Sequence, residues 1–204
     1  KFMSRLSGKY ITVVDFEWDT YALPPYKGMH CLQPLPFQYS MHIKTETGIS
    51  HYEYLGFSDC REQFIQSLLT NTPKEGPIVA YNAKGAEQIR LRELQSSFPE
   101  YNEQLQNLID RMIDLSVPFE MGMIYDLRMR GLYSLKVLSS MIHPDHNYRE
   151  LVVSDGLKAV ESHRKMEENP DVPKEEVTEL LRYCSMDTAE LRAVYQWLRE
   201  IIKA

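Results

Sequence analysis

The chain has 204 residues, of which 43% are hydrophobic and 25% charged, with a formal net charge of −6. These are ordinary globular values and enough sequence for one large domain with its own core. The acidic balance excludes a protein that holds nucleic acid by bulk electrostatics, but not an enzyme that grips a few nucleotides locally.

No run approaches the roughly 18 apolar residues of a membrane span, and the N-terminus lacks the apolar region of a signal peptide, so a soluble cytoplasmic protein with no membrane partner is expected. The chain reads as a single domain over residues 1–204. Its start at Lys1 rather than at a methionine is also compatible with a domain excised from a longer protein, with fused domains outside it. Three cysteines, Cys31, Cys60 and Cys184, lack CxxC spacing. They indicate neither a disulfide framework nor a zinc knuckle, and each reads as a small buried hydrophobe.

In chain order, Lys1 to Gly8 is a lead-in, and Tyr10 to Trp18 predicts a buried strand. Asp15 and Glu17 interrupt its apolar pattern two residues apart, so both point to one face with Cβ atoms roughly 6–7 Å apart. Two acids so placed are electrostatically costly unless a positive charge, such as a divalent cation, sits between them. Asp19 to Pro36 reads as a loop, because Pro24, Pro25, Pro34 and Pro36 continue neither helix nor sheet. Its Tyr21 and Tyr26 read as loop anchors or as platforms for bases. Phe37 to Lys44 and Ser50 to Leu55 alternate cleanly around a turn and predict a hairpin, which beside the first strand gives an antiparallel meander.

Helical spacing then runs from Asp59 to Thr70, followed by a short apolar strand from Pro77 to Tyr81. The turn Asn82-Ala83-Lys84-Gly85 leads into a helix over Ala86 to Ser97. Leu105, Leu108, Ile109, Met112 and Ile113 form another helical stripe, with a strand end at Met112 to Leu115 carrying Asp114. Residues 122–131 are irregular, Ser134 is an N-cap for a helix to about Ile142, and His143 to Arg149 is a loop. Two further helices are predicted, from Asp155 to about Glu167 and from near Pro173 to the C-terminus. The fold class is α/β, with helices flanking a mixed central sheet that combines the antiparallel meander with parallel strands.

Three places carry chemistry in this order: Asp15/Glu17, the turn from Asn82 to Glu87, and Tyr183-Cys184-Ser185-Met186-Asp187 on the last helix, where i, i+4 spacing stacks the phenol over the carboxylate. Asp-x-Glu on a first strand, an Asn-led acidic motif and Tyr-x-x-x-Asp on a late helix resemble the three motifs of the DEDD 3′-to-5′ exonuclease superfamily, of RNase H-like fold. Tyr183 four residues before Asp187 resembles its tyrosine subclass; the histidine subclass would need His where Arg182 stands. More closely, the chain resembles a largely uncharacterised bacterial family carrying such a domain. Phe37-Gln38-Tyr39-Ser40, Ala80-Tyr81-Asn82-Ala83, Ile113-Asp114-Leu115, Tyr133-Ser134-Leu135-Lys136, Ser154-Asp155-Gly156, Tyr183-Cys184 and Asp187-Thr188 fit that pattern. The departure is in the second motif. The superfamily places its acid, usually Asp, four residues after the Asn, whereas Glu87 stands five after Asn82 and Ala86 replaces the usual Phe.

The resemblance implies a hydrolase that releases nucleoside 5′-monophosphates from the 3′ end of single-stranded DNA or RNA, using two divalent cations about 3.5–4 Å apart. Hard oxygen ligands suit Mg²⁺ or Mn²⁺. Asp15 would bridge both ions, Glu17 and Asp187 would complete the site that holds the attacking water, Glu87 would reach the second ion, and Tyr183 would orient the nucleophile. Phe16, Asn82, Ser134 and Lys136 are candidates for contact with substrate.

Read as residues alone, Glu87 is either a ligand or a charge favoured by the helix dipole. Asp114 is a structural hydrogen-bonding group ahead of a metal neighbour, Arg90 and Arg92 form a solvated helix face, and His143 with His146 sits in an ordinary loop rather than a zinc site. Two alternatives to the exonuclease remain: a catalytically degenerate fold serving as a nucleic-acid or protein binding module, and a nuclease for short oligonucleotides.

Overall fold

The computed structural model describes residues 2–143, 153, 155–169, 171 and 173–203. Its five strands are β1 (Ile11–Thr20), β2 (Pro34–Lys44), β3 (Ile49–Leu55), β4 (Ile78–Ala80) and β5 (Met112–Asp114), in the order β3-β2-β1-β4-β5. β1, β2 and β3 pair antiparallel, while β4 and β5 add in parallel. The helices are α1 (Arg61–Asn71), α2 (Glu87–Ser97), α3 (Asn102–Arg111), α4 (Val117–Glu120), α5 (Leu135–Ile142), α6 (Gly156–Glu168) and α7 (Lys174–Lys203).

β1 is central, and its alternation divides the molecule. Val14 and Phe16 face a core built with Phe64 and Leu68 of α1, Leu91 and Leu94 of α2, and Leu105 and Leu108 of α3. Ile11 and Val13 face the other core, with Leu138 of α5 and Leu191, Val194 and Leu198 of α7. Asp15 and Glu17 continue this second face. A third cluster joins Phe37 of β2 to Ala159 and Met166 of α6 and to Leu180 and Tyr183 of α7.

Several boundaries differ from the sequence reading. β1 and β2 extend into the expected loop, and Pro34 and Pro36 pair opposite Thr20 and Trp18. Proline is tolerated there because β3 pairs with β2 only from Gln38 onward, leaving that end of β2 an edge where a missing N–H costs no ladder bond. Met112 and Ile113 belong to β5 rather than to a helical stripe, and α4 went unpredicted. Ser134 does cap α5, accepting from the Val137 N–H at 3.4 Å, and Asp155 caps α6 through the Lys158 N–H at 3.0 Å. Arg149, His146 and Ser154 lie outside the described residues. No helix among the described residues is long and apolar enough to cross a membrane.

Candidate active site

The site forms where α7 crosses β2 and β1. Polar contacts fix that crossing. Gln38 donates to the Leu180 carbonyl at 3.0 Å, and Thr188 Oγ1 meets Ser40 Oγ at 2.8 Å and His42 Nδ1 at 3.0 Å. The helix therefore presents Tyr183, Cys184 and Asp187 to the Asp15/Glu17 face. Cys184 Sγ lies 3.7 Å from the backbone oxygen of Asp15 and 3.8 Å from its Oδ2. Tyr183 is buried one helical turn before Asp187, whose charge bears on its phenol.

Glu87 arrives from the other side of β1. β4 pairs with β1 at Thr12–Ile78 and Val13–Val79, and beyond that register the chain turns away from the sheet. Asn82 takes the left-handed conformation (φ 58°), and its carbonyl accepts from the N–H groups of Gly85 and Ala86 at 2.9 and 3.0 Å. A side chain at Gly85 would collide with Asn82, since a Cβ there would stand 2.8 Å from Oδ1. This closed turn accommodates the five-residue spacing and delivers Glu87 at the first position of α2, where it is 1% exposed and its charge bears on Asp15 and Glu17. Its Oε2 has no hydrogen-bond partner among the described residues.

The electrostatics follow from crowding acids in a dry place. Burial, then the charges of Asp187, Glu17 and Glu87, push the Asp15 carboxyl well above the ordinary carboxylate range. Burial and Asp187 push Glu17 up to about 8 against the opposing charge of Lys136. Burial lifts Glu87 to about 8, opposed by its own backbone N–H and by Arg90. Burial and the same acids hold the Tyr183 phenol protonated far above its usual range. Asp15, Glu17 and Cys184 offer ligand atoms within 4.8 Å of one another, a grouping that does not take in Glu87 or Asp187. A cation placed there would reverse the penalty, and the two carboxylates with the orphaned Glu87 Oε2 beside them fit such an ion.

The other candidates fall into three places. Lys136 lies 5.5 Å from the Tyr183 ring centroid and acts on Glu17, so it borders the cluster. Asn82 and Ser134 line a neighbouring groove of about 540 Å³ with Tyr81, Leu132 and Tyr133. The Phe16 ring is in the core, edge-on to Phe64 with centroids 5.1 Å apart, so only its backbone adjoins the site. A larger depression of about 710 Å³, lined by Tyr10, Tyr52, Thr72 and Lys74, lies on the α1 side of the sheet, away from these acids.

Some residues differ from their sequence reading. Cys184 is buried but faces a carboxylate; its place one helical turn before Asp187 was the available signal. Cys31 is exposed. Arg90 is half-buried rather than solvated, with its guanidinium carbon 3.6 Å from the Trp18 ring centroid. Others agree with it: Asp114 is a structural group that accepts from the Ser116 hydroxyl and N–H at 2.7 and 3.0 Å. Tyr21 anchors its loop to α6 through Glu167, and Gly156 at the start of α6 stands beside Glu17, where a Cβ would be 3.7 Å from Oε2.

Residues 12–134, more than half of the chain, match the sequence model of a family described as "Domain of unknown function (DUF2779)". The chain belongs to that family. The matched DUF2779 segment holds Asp15, Glu17, Asn82 and Glu87 and stops before Tyr183 and Asp187. A search of curated proteins finds no match. Among solved structures, the chain is similar to a family B DNA polymerase from the hyperthermophilic archaeon Pyrobaculum calidifontis, with a TM-score of 0.62 at 13% identity over 94% of this chain. It spans about a quarter of that polymerase, 25%. At that identity the likeness shows the fold, an α/β architecture of RNase H-like type.

Proposed function

We propose that this domain is a metal-dependent 3′-to-5′ exonuclease that hydrolyses single-stranded nucleic acid to nucleoside 5′-monophosphates. One observation carries the reading: Asp15 and Glu17 of β1 bring ligand atoms within 4.8 Å of each other and of Cys184 on α7, and Asp187 of α7 and Glu87 of α2 add like charge to them. Nothing in packing requires like charges to gather so, whereas binding of divalent cations does.

Asp15, Glu17, Glu87 and Asp187 would hold two Mg²⁺ or Mn²⁺ ions. Bound there, the ions would neutralise the non-bridging phosphate oxygens, lower the pKa of the attacking water and stabilise the leaving alkoxide. The Tyr183 hydroxyl, kept protonated, orients that water through a hydrogen bond. Lys136 supplies a positive charge at the Glu17 edge, and the Asn82–Ser134 groove receives the strand beyond the scissile bond. A local groove of this kind needs no basic surface, which agrees with a net charge of −6.

The test is an end-labelled single strand incubated with Mn²⁺ or Mg²⁺. Stepwise shortening from the 3′ end with release of 5′-mononucleotides, abolished by Asp15→Ala or Asp187→Ala, is the expected result. No degradation with either metal overturns the proposal.

A further inference from the structure

One side chain in the cluster has no part in that hydrolysis. Cys184 is fully buried, and its Sγ lies 3.8 Å from Asp15 Oδ2. Asp15, Glu17 and Cys184 each offer a ligand atom, and the three atoms lie within 4.8 Å of one another. A tetrahedral cation with metal–sulfur and metal–oxygen bonds of about 2.3 and 2.1 Å holds sulfur and oxygen about 3.6 Å apart. The Sγ–Oδ2 separation is therefore already close to that of two ligands on one ion. Glu87 points independently to a cation: it is 1% exposed, its Oε2 is orphaned, and its charge bears on both Asp15 and Glu17. Like Cys60, whose thiol meets the Pro36 carbonyl at 3.6 Å, Cys184 meets a backbone oxygen, that of Asp15 at 3.7 Å, but it also has a carboxylate oxygen beside it.

We propose that Asp15, Glu17 and Cys184 form a mixed oxygen–sulfur site for thiophilic divalent cations of the zinc and cadmium class. The site overlaps the hard-cation site of the proposed function and rests on that reading only in sharing Asp15 and Glu17. On binding, the S–H bond breaks, its electron pair becomes the sulfur–metal bond and its proton leaves to solvent, with no change of oxidation state. Soft thiolate favours such ions over Mg²⁺, so they displace the hard cation and inhibit.

Cd²⁺ titration of the whole chain, read by the ultraviolet thiolate-to-cadmium charge-transfer band, tests this beside Mn²⁺ binding read by electron paramagnetic resonance. The band is expected in the wild type and in Cys31→Ser, absent in Cys184→Ser and suppressed by excess Mn²⁺, while Cys184→Ser binds Mn²⁺ within about twofold of the wild type. Should Cys184→Ser fail to fold, Asp15→Asn gives the second reading, with cadmium affinity lowered at least ~10-fold. No band, a band that survives Cys184→Ser, or cadmium affinity unchanged in Asp15→Asn overturns the inference, and with Mn²⁺ binding intact leaves the exonuclease reading standing. Failure of the wild type to bind Mn²⁺ overturns that reading instead, whatever the cadmium band shows.

Discussion

Ser40 Oγ and Thr188 Oγ1 lie 2.8 Å apart, both fully buried, and this contact sets how α7 rests on the sheet one residue after Asp187. His42 Nδ1 reaches the same Thr188 hydroxyl at 3.0 Å. Thr188→Val keeps the shape but takes a partner from His42, while Ser40 keeps His51 at 2.9 Å, so it is expected to cost about 1–3 kcal/mol. Urea unfolding monitored by circular dichroism measures the loss, and an unchanged midpoint would show that α7 is held by apolar packing alone.

Without cations, the cluster makes stability fall as pH rises. Glu17 and Glu87 are raised from 4.5 to about 8 in the folded chain. Their contribution is fully present below pH 4.5 and is lost as pH rises through 8, because ionising them is harder folded than unfolded. His42, lowered from 6.5 to about 4, has the opposite sign and titrates below 6.5. Between pH 6.5 and 8.5 the carboxylates therefore dominate, and Tm measured in chelator should drop across that window. Glu17→Gln should flatten the drop and raise Tm at pH 8. Mn²⁺ at one hundred times its Kd should restore about 2.7 kcal/mol to the wild type.

Glu87 separates a ligand from a capping charge. As a helix-dipole charge alone, it would contribute about 0.3–1 kcal/mol to stability and nothing to metal affinity. As a ligand, its change to Gln lowers Mn²⁺ affinity at least ~10-fold and raises the stability of the cation-free chain above pH 8, where the buried carboxyl is ionised. Calorimetric Mn²⁺ titration paired with thermal melts reads both.

Tyr183→Phe keeps the ring packed and removes only the hydroxyl. The expected cost is about 10²–10³ in kcat, with Mn²⁺ affinity unchanged. A variant with full activity would relegate the phenol to packing.

Periodic features were legible in the sequence. Alternation placed Asp15 and Glu17 on one face, and helical spacing placed Tyr183 with Asp187. The meander and the short buried strand from Ile78 to Ala80 were visible for the same reason. Features that depend on neighbours were not. Pro34 and Pro36 are strand residues because β3 stops short of them, which local chemistry cannot reveal. Phe16 lies between two site acids, yet alternation sends its ring into the opposite core. Cys184 looked like any small apolar residue, and its importance comes from Asp15, at the far end of the chain. Glu87 stood at an unexpected spacing, and only the closed turn around Asn82 shows how it still reaches β1.

The acids of β1, α2 and α7 are proposed to form one divalent-cation site, and a crystal soaked in Mn²⁺ and measured at the manganese edge decides it. Two anomalous peaks about 3.5–4 Å apart among Asp15, Glu17, Glu87 and Asp187, both lost in Asp15→Ala, are the predicted result. Absence of any peak at these residues under saturating Mn²⁺ would contradict it.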